Sequence, residues 1–487
     1  MTDRVLDKVK TALDVLIETG ARHEGLLPSL IDLETHRMLR HLPPAIDGQR
    51  PGDRAPLGSN LMHDQHVLKV LLALGPALGK PEYTEAAQAY LQRFATHCTD
   101  TVTGLFPWGE HSYWHLEEDR VGDSHRNRDP DRPAGQALHD HLRQAPVWLW
   151  EELYAQEPRC VERFAEGLDY HFKEDGHSKD GEPREYIRHA HIEQRTRLER
   201  GPKSADFPRH SGFYLLDWAV AWLKTGRADF LAQVEGMVDY WWPHRDAGGL
   251  LLIHTRCPES TSGQYQINSV SQTLSLAASL LDAAALLETE AARAPGRADL
   301  APLIDRMRER AGTYTEGFLG APHDVKRGVF AYGCRRGTGE LTRQMPIWGS
   351  VYGQWPAAYQ ALIALCVYRH TGDERLLAWA RAAGRVYLSQ PFPDDAAVPV
   401  SDAGLAVELL ADLYDLTGDD GWRQDGLALA FNVMDVYLEG DLPRAAPGAG
   451  HYESQTVPGD LLHGLARLAL LSESRRDCPL TPNYTCR

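Results

Sequence analysis

The 487-residue sequence has no CxxC pair, no long apolar run and fewer cationic than anionic residues, 51 against 68. Its seven cysteines are scattered, so a zinc or redox cysteine motif has little support. The apolar runs end well before the roughly 18 residues that a membrane span needs. The formal net charge is −17, whereas general binders of nucleic acid or of anionic membranes are usually basic. We therefore expect neither nucleic acid nor a membrane as a partner.

The N-terminal segment also lacks the apolar core of a secretion signal. MTDRVLDKVKTALDVLIETG carries charges at helical spacing instead. This predicts a cytoplasmic protein, or a secreted one if a signal has been removed.

Helical hairpins dominate the rest of the chain. Segments with helical apolar periodicity alternate with short turns that contain Gly or Pro. Seven segments are apolar on most of their circumference, which predicts helices buried on both sides, at 67–75, 145–154, 213–223, 269–287, 356–368, 404–414 and 460–471. Amphipathic segments after each turn would form an outer layer, with a helix at about 3–18 as the partner of the last inner helix. The pattern predicts an all-α fold, an α/α toroid of six or seven hairpins, with seven favoured.

We expect one catalytic domain at 1–475, followed by a tail at 476–487. Long loops rich in aromatic residues, His and Arg interrupt the repeat, and such loops usually carry function. In a closed ring all inner helices begin at one mouth, so the polar residues there should line one pocket. The substrate-binding candidates from these positions are His63, Asp64, Tyr265, Asn268, Trp348, Tyr352, His451 and Glu453.

Two further stretches add binding candidates. The loop GLFPWGEHSYWH (104–115) places aromatic rings beside a carboxylate and imidazoles, which suits a sugar. Alternatively, its rings simply fill a gap between helices. A basic, His-rich stretch at 184–210 suits a carboxylate, because Arg binds carboxylates through a planar fork, although a solvated salt-bridged surface would also explain it. The candidates from the two stretches are Trp108, Glu110, His111, Trp114, His191 and Arg195.

A substrate that is both sugar and acid is a uronic-acid glycan, and the matching reaction is β-elimination. Such an enzyme neutralises the C5 carboxylate, removes the C5 proton and protonates the leaving O4. The segment that begins an inner helix at Arg209 supplies a cation, His210 and Tyr214. His210 and Tyr214 are four residues apart and would share a helix face. Capping residues and a core tyrosine would give the same pattern.

The sequence resembles the α/α-toroid polysaccharide lyases, in particular the single-domain α/α-barrel enzymes that act on alginate, glucuronan or pectate. The resemblance lies in GLFPWGEHSYW, in GSNLMHDQH at the start of an inner helix, and in the hairpin pattern. It implies elimination by a Tyr/His pair without a metal. Tyr214 and His210 would be the base and acid, and Arg209 and Asn60 would neutralise the carboxylate.

Other functions fit the same fold. A glycoside hydrolase, including an unsaturated-uronide hydrolase, would use two of Asp64, Glu110, Asp402 and Glu453. A sugar epimerase would use paired histidines, and a non-catalytic helical scaffold is a further alternative. We expect an acidic oligo- or polysaccharide as substrate, no cofactor, no metal because no recognised ligand spacing appears, and a monomer or homodimer.

Overall fold

The fold is taken from a computed structural model of the chain. It describes residues 2–141, 143–172, 185–199, 205–255, 266–294, 299–350, 355–390, 392–393 and 397–485. These residues form fourteen α-helices: Thr2–Ala21 (α1), Leu61–Leu78 (α2), Pro81–Arg93 (α3), Val147–Gln156 (α4), Pro158–Gly167 (α5), Pro208–Thr225 (α6), Ala228–Tyr240 (α7), Val270–Arg293 (α8), Ala301–Leu319 (α9), Ala357–Thr371 (α10), Glu374–Ser389 (α11), Val400–Thr417 (α12), Asp420–Tyr437 (α13) and Pro458–Glu473 (α14).

The even-numbered helices form an inner ring. α6 packs on α8, followed by α10, α12 and α14, and α14 packs on α2, the first inner helix of the chain. α4 completes the ring between α2 and α6: it contacts α3, and its Trp150 donates to Asp217 of α6 at 2.9 Å. The inner helices are buried on nearly all faces, as predicted; α12 has no exposed residue from Val400 to Leu413. The predicted α/α toroid of seven hairpins is therefore confirmed.

The odd-numbered helices form the outer layer. Each hairpin packs an outer helix on the inner helix that precedes it, and α1 packs on α14 to make the seventh pair, as predicted. Turn residues act as expected from the sequence: α6 ends at Gly226, whose φ of 74° suits a left-handed cap, and Asp373 and Asp419 cap α11 and α13.

Short strands lie in the long loops at the mouth where the inner helices begin. They are Leu30–Asp32 (β1), Gly58–Ser59 (β2), Ser112–His115 (β3), Arg120–Asp123 (β4), Leu138–His139 (β5), Ala190–His191 (β6), Ile267–Ser269 (β7), Ala331–Arg335 (β8), Leu341–Gln344 (β9) and His451–Glu453 (β10). They pair into four small sheets, β1–β10, β2–β3–β4, β5–β6 and β7–β8–β9. These sheets hold the loops of the mouth in place.

Helix α8 and the C-terminal segment are both part of the packed ring. α8 alone among the described helices is long and apolar enough to cross a membrane, but 83% of that window is buried inside the ring, as in a core helix. The segment expected as a separate tail packs into the ring: Asn483 is 2% exposed, and its backbone N–H donates to Glu408 of α12 at 3.0 Å.

Candidate active site

A cavity of about 360 Å³ opens at the mouth where the inner helices begin. Its wall combines residues from the loop before α2 with residues that precede or begin α6, α8, α10, α12 and α14. The charged and aromatic residues of the wall are Asp47, Asp53, Glu110, Arg188, Phe207, Arg209, Tyr332, Arg343 and Trp355. The prediction that the starts of several inner helices share one pocket agrees with this wall.

Arg188 links the acidic groups on one side of the cavity. Its Nη2 donates to Glu110 Oε2 at 2.9 Å, lies 3.1 Å from Asp140 Oδ2, and lies 3.2 Å from His111 Nε2. Its Nε donates to His189 Nε2 at 2.8 Å. Glu110, Asp140 and His111 are all buried. The guanidinium is thus held by charge-assisted hydrogen bonds at the edge of a buried polar cluster.

Strand pairing builds this cluster. β5 and β6 pair antiparallel with His139 opposite Ala190, a register that sets Asp140 opposite His189. An isolated parallel bridge joins Gly109 to Asp140 and brings the 110–111 segment alongside. A Cβ on Gly109 would lie 1.8 Å from the Asp140 carbonyl oxygen, and the φ of Gly109 is 89°. Only glycine permits this approach.

The same cluster has the donor set for a divalent cation. His111, Asp140 and His189 each offer a ligand atom, and the three atoms lie within 4.8 Å of one another. His111 Nδ1 lies 3.3 Å from the Gly52 carbonyl oxygen, a contact that would hold the Nδ1 proton and leave Nε2 free to coordinate. Burial lowers the pKa of His111 to about 4, which keeps the ring neutral as a ligand must be. The residues therefore fit a metal, and the expectation of none stays untested.

Two carboxyl groups stand side by side on the cavity wall. Arg50 bridges them: its Nε donates to Asp53 Oδ2 at 2.9 Å, and its Nη2 donates to Glu110 Oε1 at 2.7 Å. Burial and the neighbouring Glu110 carboxylate raise the pKa of Asp53 to about 7. Burial likewise raises the pKa of Asp140 to about 7, although Arg188 opposes it. Carboxyl groups that exchange a proton near neutral pH are suited to acid–base catalysis.

Two guanidinium groups on the wall lack such partners. Within the described ranges, the Arg209 and Arg343 side chains make no ion pair and no hydrogen bond, and Arg209 Nε is buried. Burial raises the pKa of Tyr332, and the nearby Arg209 and Arg343 oppose this rise; Arg343 sits 5.9 Å from the Tyr332 ring centroid. An acidic chain that leaves two cations unpaired in one cavity presents a site for an anion.

The structure places few of the predicted site residues on this wall. Arg209 and Glu110 line the cavity, and His111 lies directly behind Glu110. Asp402, proposed for the hydrolase alternative, is buried beside the wall residue Ser350, whose Oγ bonds to it. Tyr265 and Tyr352 lie outside the described residues.

The predicted base, acid and second neutraliser lie away from the cavity wall. Tyr214 and His210 are fully buried and do not line the cavity. Burial raises the pKa of Tyr214 well above its usual value, so the phenolate that a base requires is disfavoured. Asn60 caps α2 and donates to the Gly109 carbonyl oxygen at 2.8 Å, which fixes the loop behind Glu110. None of these three side chains lines the cavity, and their catalytic roles stay predictions.

The two tryptophans of the predicted aromatic sugar platform do not line the cavity. Trp108 is fully buried, packs against Phe106 and Trp150, and donates to His139 Nε2 at 3.0 Å. Trp114 is buried and donates to Asp119 at 3.0 Å. Trp108 fills a gap between α4 and α5, which agrees with the alternative explanation from the sequence.

The remaining candidates serve other contacts. His63 and Asp64 are buried in the first turn of α2, and Asp64 accepts from Tyr90 at 2.9 Å. Glu453 forms an ion pair with Arg54 at 2.6 Å and lies 3.2 Å from His451. The others, none of which lines the cavity, are Asn268, which accepts from Arg336; Trp348, packed on Tyr387; the half-buried His191; and the exposed Arg195.

Sequence reasoning missed several residues of the site. Arg188 and His189 fall within the basic stretch but were not selected from its many cations. Asp53 and Asp140 follow no recognisable motif. The sequence offered one indication of the site: Arg188, His189 and His191 together form a local excess of groups that bind carboxylates and metals.

Comparisons with known proteins give a partial match. A family model described as periplasmic pectate lyase matches residues 44–130, a stretch that includes Asp53 and Glu110 of the cavity wall. No curated protein matches the chain.

Three solved structures that resemble this chain are each 13% identical to it or less. An unsaturated glucuronyl hydrolase from Bacillus sp. GL1 is 12% identical, with all of both chains covered and a TM-score of 0.45. A glycoside hydrolase family 76 mannosidase from Bacteroides thetaiotaomicron is 13% identical, with 96% of this chain and 99% of that chain covered and a TM-score of 0.42. A D-mannose isomerase is 11% identical, with 80% and 98% covered and a TM-score of 0.48.

Proposed function

We propose that the chain is a polysaccharide lyase that cleaves a uronic-acid glycan by β-elimination in this cavity. The observation that carries the proposal is the pair of unpaired cations, Arg209 and Arg343, on the wall of the cavity of a chain with net charge −17. Unpaired cations on the wall of a concave site attract anions, so the site suits an anionic ligand. The pectate lyase family match over part of the same wall supports the same substrate class.

The wall also suits the sugar ring that carries the anion. Phe207, Tyr332 and Trp355 supply aromatic faces, and Gln49, Gln272 and Ser401 supply groups that can bond hydroxyls. We place one substrate carboxylate at Arg209 and Arg343. A neighbouring uronate would then face Arg188 and the carboxyl pair across the cavity.

The carboxyl pair provides the proton transfers. Mutual repulsion between Asp53 and Glu110 favours one shared proton near neutral pH. One carboxylate takes the proton from C5, the electrons of the broken C5–H bond form the C4=C5 double bond, and the C4–O4 bond breaks. The leaving O4 receives a proton from the same pair. Arg188 neutralises the charge that develops on the C5 carboxylate.

A divalent cation at His111, Asp140 and His189, if bound, would supply further positive charge close to that carboxylate. The cation would strengthen the neutralisation that Arg188 already provides. The resemblance to toroid lyases implies elimination without a metal, so loss or survival of activity on treatment with a chelator distinguishes the two versions of the proposal.

A glycoside hydrolase is the second candidate, and the same carboxyl pair favours it. Asp53 and Glu110 are adjacent, one has a pKa near 7, and retaining and inverting hydrolases both use two carboxyl groups. The cations on the wall favour the lyase, because a uronate carboxylate needs them. The carboxyl pair by itself would suit a hydrolase equally well.

The experiment is incubation with polygalacturonate, polymannuronate, polyguluronate and glucuronan. The ultraviolet absorbance of the C4=C5 bond and the number of new reducing ends would be followed together. Elimination predicts that both rise in equal amounts. New reducing ends without the chromophore would establish hydrolysis instead, and an unsaturated oligosaccharide that loses its absorbance would indicate an unsaturated-uronide hydrolase.

The compartment and the oligomeric state stay predictions. The matched family is described as periplasmic, so we propose that this protein acts on its substrate in the periplasm rather than in the cytoplasm.

A further inference from the structure

A cluster of three different metal-binding side chains lies between two inner helices, away from the cavity. Asp282 of α8 and Cys366 and His370 of α10 each offer one ligand atom, and the three atoms lie within 4.8 Å of one another. α8 and α10 are neighbours in the ring, and both begin at the mouth. Asp282 and His370 come about 18–20 Å further along these helices, at a rise of about 1.5 Å per residue. None of the three lines the cavity.

The spacing on α10 brings its two ligands together. Residues four apart lie on the same face of a helix, so the Cys366 thiol and the His370 imidazole share one side of α10. That side faces α8, because His370 Nε2 lies 2.7 Å from Asp282 Oδ1. His370 is in the last turn of α10, where the helix dipole favours a positive charge.

The donor set is that of a zinc site. Thiolate, imidazole and carboxylate are the ligands that Zn²⁺ takes in proteins, whereas Mg²⁺ and Ca²⁺ prefer oxygen alone. Cys366 is a buried thiol, while the Asp282 and His370 side chains are 24% and 26% exposed. The thiol would thus form the floor of the site, and water would supply the fourth ligand.

The cluster needs only a small adjustment to hold the ion. Around tetrahedral Zn²⁺ an imidazole nitrogen and a carboxylate oxygen are about 3.3 Å apart, so Asp282 and His370 would separate by roughly 0.6 Å. Both side chains reach solvent, which leaves room for that movement.

We propose that Asp282, Cys366 and His370 form a Zn²⁺ site that joins α8 to α10. The Asp282–His370 hydrogen bond is replaced by two bonds to the metal, and the Cys366 thiol loses its proton to solvent as its sulfur coordinates. The imidazole keeps its proton on Nδ1 and coordinates through Nε2. Because the ligands come from two inner helices, the ion links consecutive hairpins and stabilises the ring.

Co²⁺ as a replacement for Zn²⁺ reports on this site selectively. A thiolate bound to Co²⁺ gives an intense charge-transfer band in the near ultraviolet. The candidate metal clusters beside the cavity, in the part of the chain that the structure describes, contain no sulfur ligand and cannot give this band. The full chain, kept reduced and freed of metal with a chelator, would be titrated with Co²⁺ and then with Zn²⁺.

Three variants remove one ligand each: Cys366→Ser, His370→Ala and Asp282→Asn. Cys160→Ser is the matched control, because it removes another buried helical cysteine that belongs to none of the candidate clusters. Far-ultraviolet circular dichroism would confirm the folding of each variant.

We expect the charge-transfer band in the wild type and in Cys160→Ser, and its loss in Cys366→Ser. His370→Ala and Asp282→Asn should bind Co²⁺ about tenfold or more weakly, since even the loss of a residue that supports a ligand has an effect of that size. Zn²⁺ should displace Co²⁺ and abolish the band. It should also raise the Tm of the wild type more than that of His370→Ala.

Absence of the band in the wild type, or its survival in Cys366→Ser, would overturn the proposal and leave Asp282 and His370 as an ordinary hydrogen-bonded pair between helices. Equal Co²⁺ affinity in the wild type and His370→Ala would overturn it as well. That variant changes a partly exposed side chain, so it remains decisive if Cys366→Ser does not fold. The result does not depend on the reaction proposed for the cavity, because the readout is metal binding alone.

Discussion

Two charged regions of the ring differ in how completely their charges are paired. Away from the cavity, Arg467 of α14 contacts Glu408 at 2.9 Å and Asp412 at 3.0 Å, and Arg369 of α10 contacts Asp412 at 2.6 Å. Around the cavity, Arg188 is paired but Arg209 and Arg343 are not. The first region satisfies its charges internally, and the second leaves positive charge for a ligand.

The C-terminal segment belongs to the first region. Tyr484 bonds to Asp412, Asn483 Nδ2 donates to Asp460 at 3.0 Å, and Thr485 lies 2.9 Å from His66 Nε2. Asp460 in turn pairs with Arg143 at 2.9 Å. These contacts tie the chain end to α2, α12 and α14. Buried charge in this region is structural, because each charged group named has an opposite charge in contact.

The largest expected effect is on stability, in the fully paired region. Arg467→Ala would leave Glu408 and Asp412 buried with less counter-charge, and breaking a buried pair costs about 3–5 kcal/mol. We expect that loss in the free energy of unfolding, measured with urea. Arg4→Ala, which removes an exposed pair with Asp435, is the control and should change the midpoint little. Equal midpoints for the two variants would show that the network does not stabilise the ring.

Arg188→Gln should give the largest effect on activity. It removes the charge that bridges Glu110 and Asp140, and loss of one such group commonly lowers turnover about 10²–10³-fold. We expect this fall in kcat/KM, measured by the formation of unsaturated product. Activity within a factor of two of the wild type would remove Arg188 from the mechanism.

Arg209→Ala tests the unpaired cations. Because Arg209 has no partner in the described part of the chain, its removal should leave stability unchanged but weaken substrate binding, with KM raised about tenfold. The exposed Arg195→Ala is the matched control, since it removes the same charge away from the cavity. Equal KM changes in the two variants would mean that only the overall charge matters.

The two regions should also titrate in different pH ranges, because the pKa of Asp53 at the cavity is raised and the pKa of Glu408 in the paired region is lowered. Burial raises the pKa of Asp53 to about 7, so its proton is lost as pH rises through 7, and kcat/KM should change in that range. Asp53→Asn should remove this change. Burial would raise the pKa of Glu408 as well, but Arg467 and His463 lower it to about 2.

The lowered pKa of Glu408 stabilises the fold above pH 4.5, and that stabilisation is lost as pH falls from 4.5 towards 2. Glu408→Gln should reduce the loss of stability between pH 4.5 and 2, measured by acid unfolding. It should not move the change in kcat/KM near pH 7. If one variant shifted both limbs, the two regions would not be independent.

The sequence predicted the ring better than the site, for a physical reason. A helix buried on all sides, such as α12, has an apolar pattern that is legible over many residues. The site instead depends on β5 and β6, strands of two residues each, and on the approach of Gly109 to Asp140. Such short pairings have no periodicity to detect.

Residue chemistry alone found Glu110 and Arg209 but also selected Trp108, Tyr214 and Asn60, which are buried behind the wall. A sequence shows which residues carry a given chemistry. It does not show whether a tryptophan at a helix end faces a cavity or fills the gap between hairpins, because that depends on how the ring closes.

The most direct test of the account is a crystal structure of Arg188→Gln with bound trigalacturonate. The account predicts one uronate carboxylate within hydrogen-bond distance of the Arg209 and Arg343 guanidinium groups, and a neighbouring C5 facing Asp53 and Glu110. A trisaccharide bound elsewhere, or bound in the cavity with no carboxylate at either arginine, would contradict the assignment of this cavity to a uronic-acid glycan.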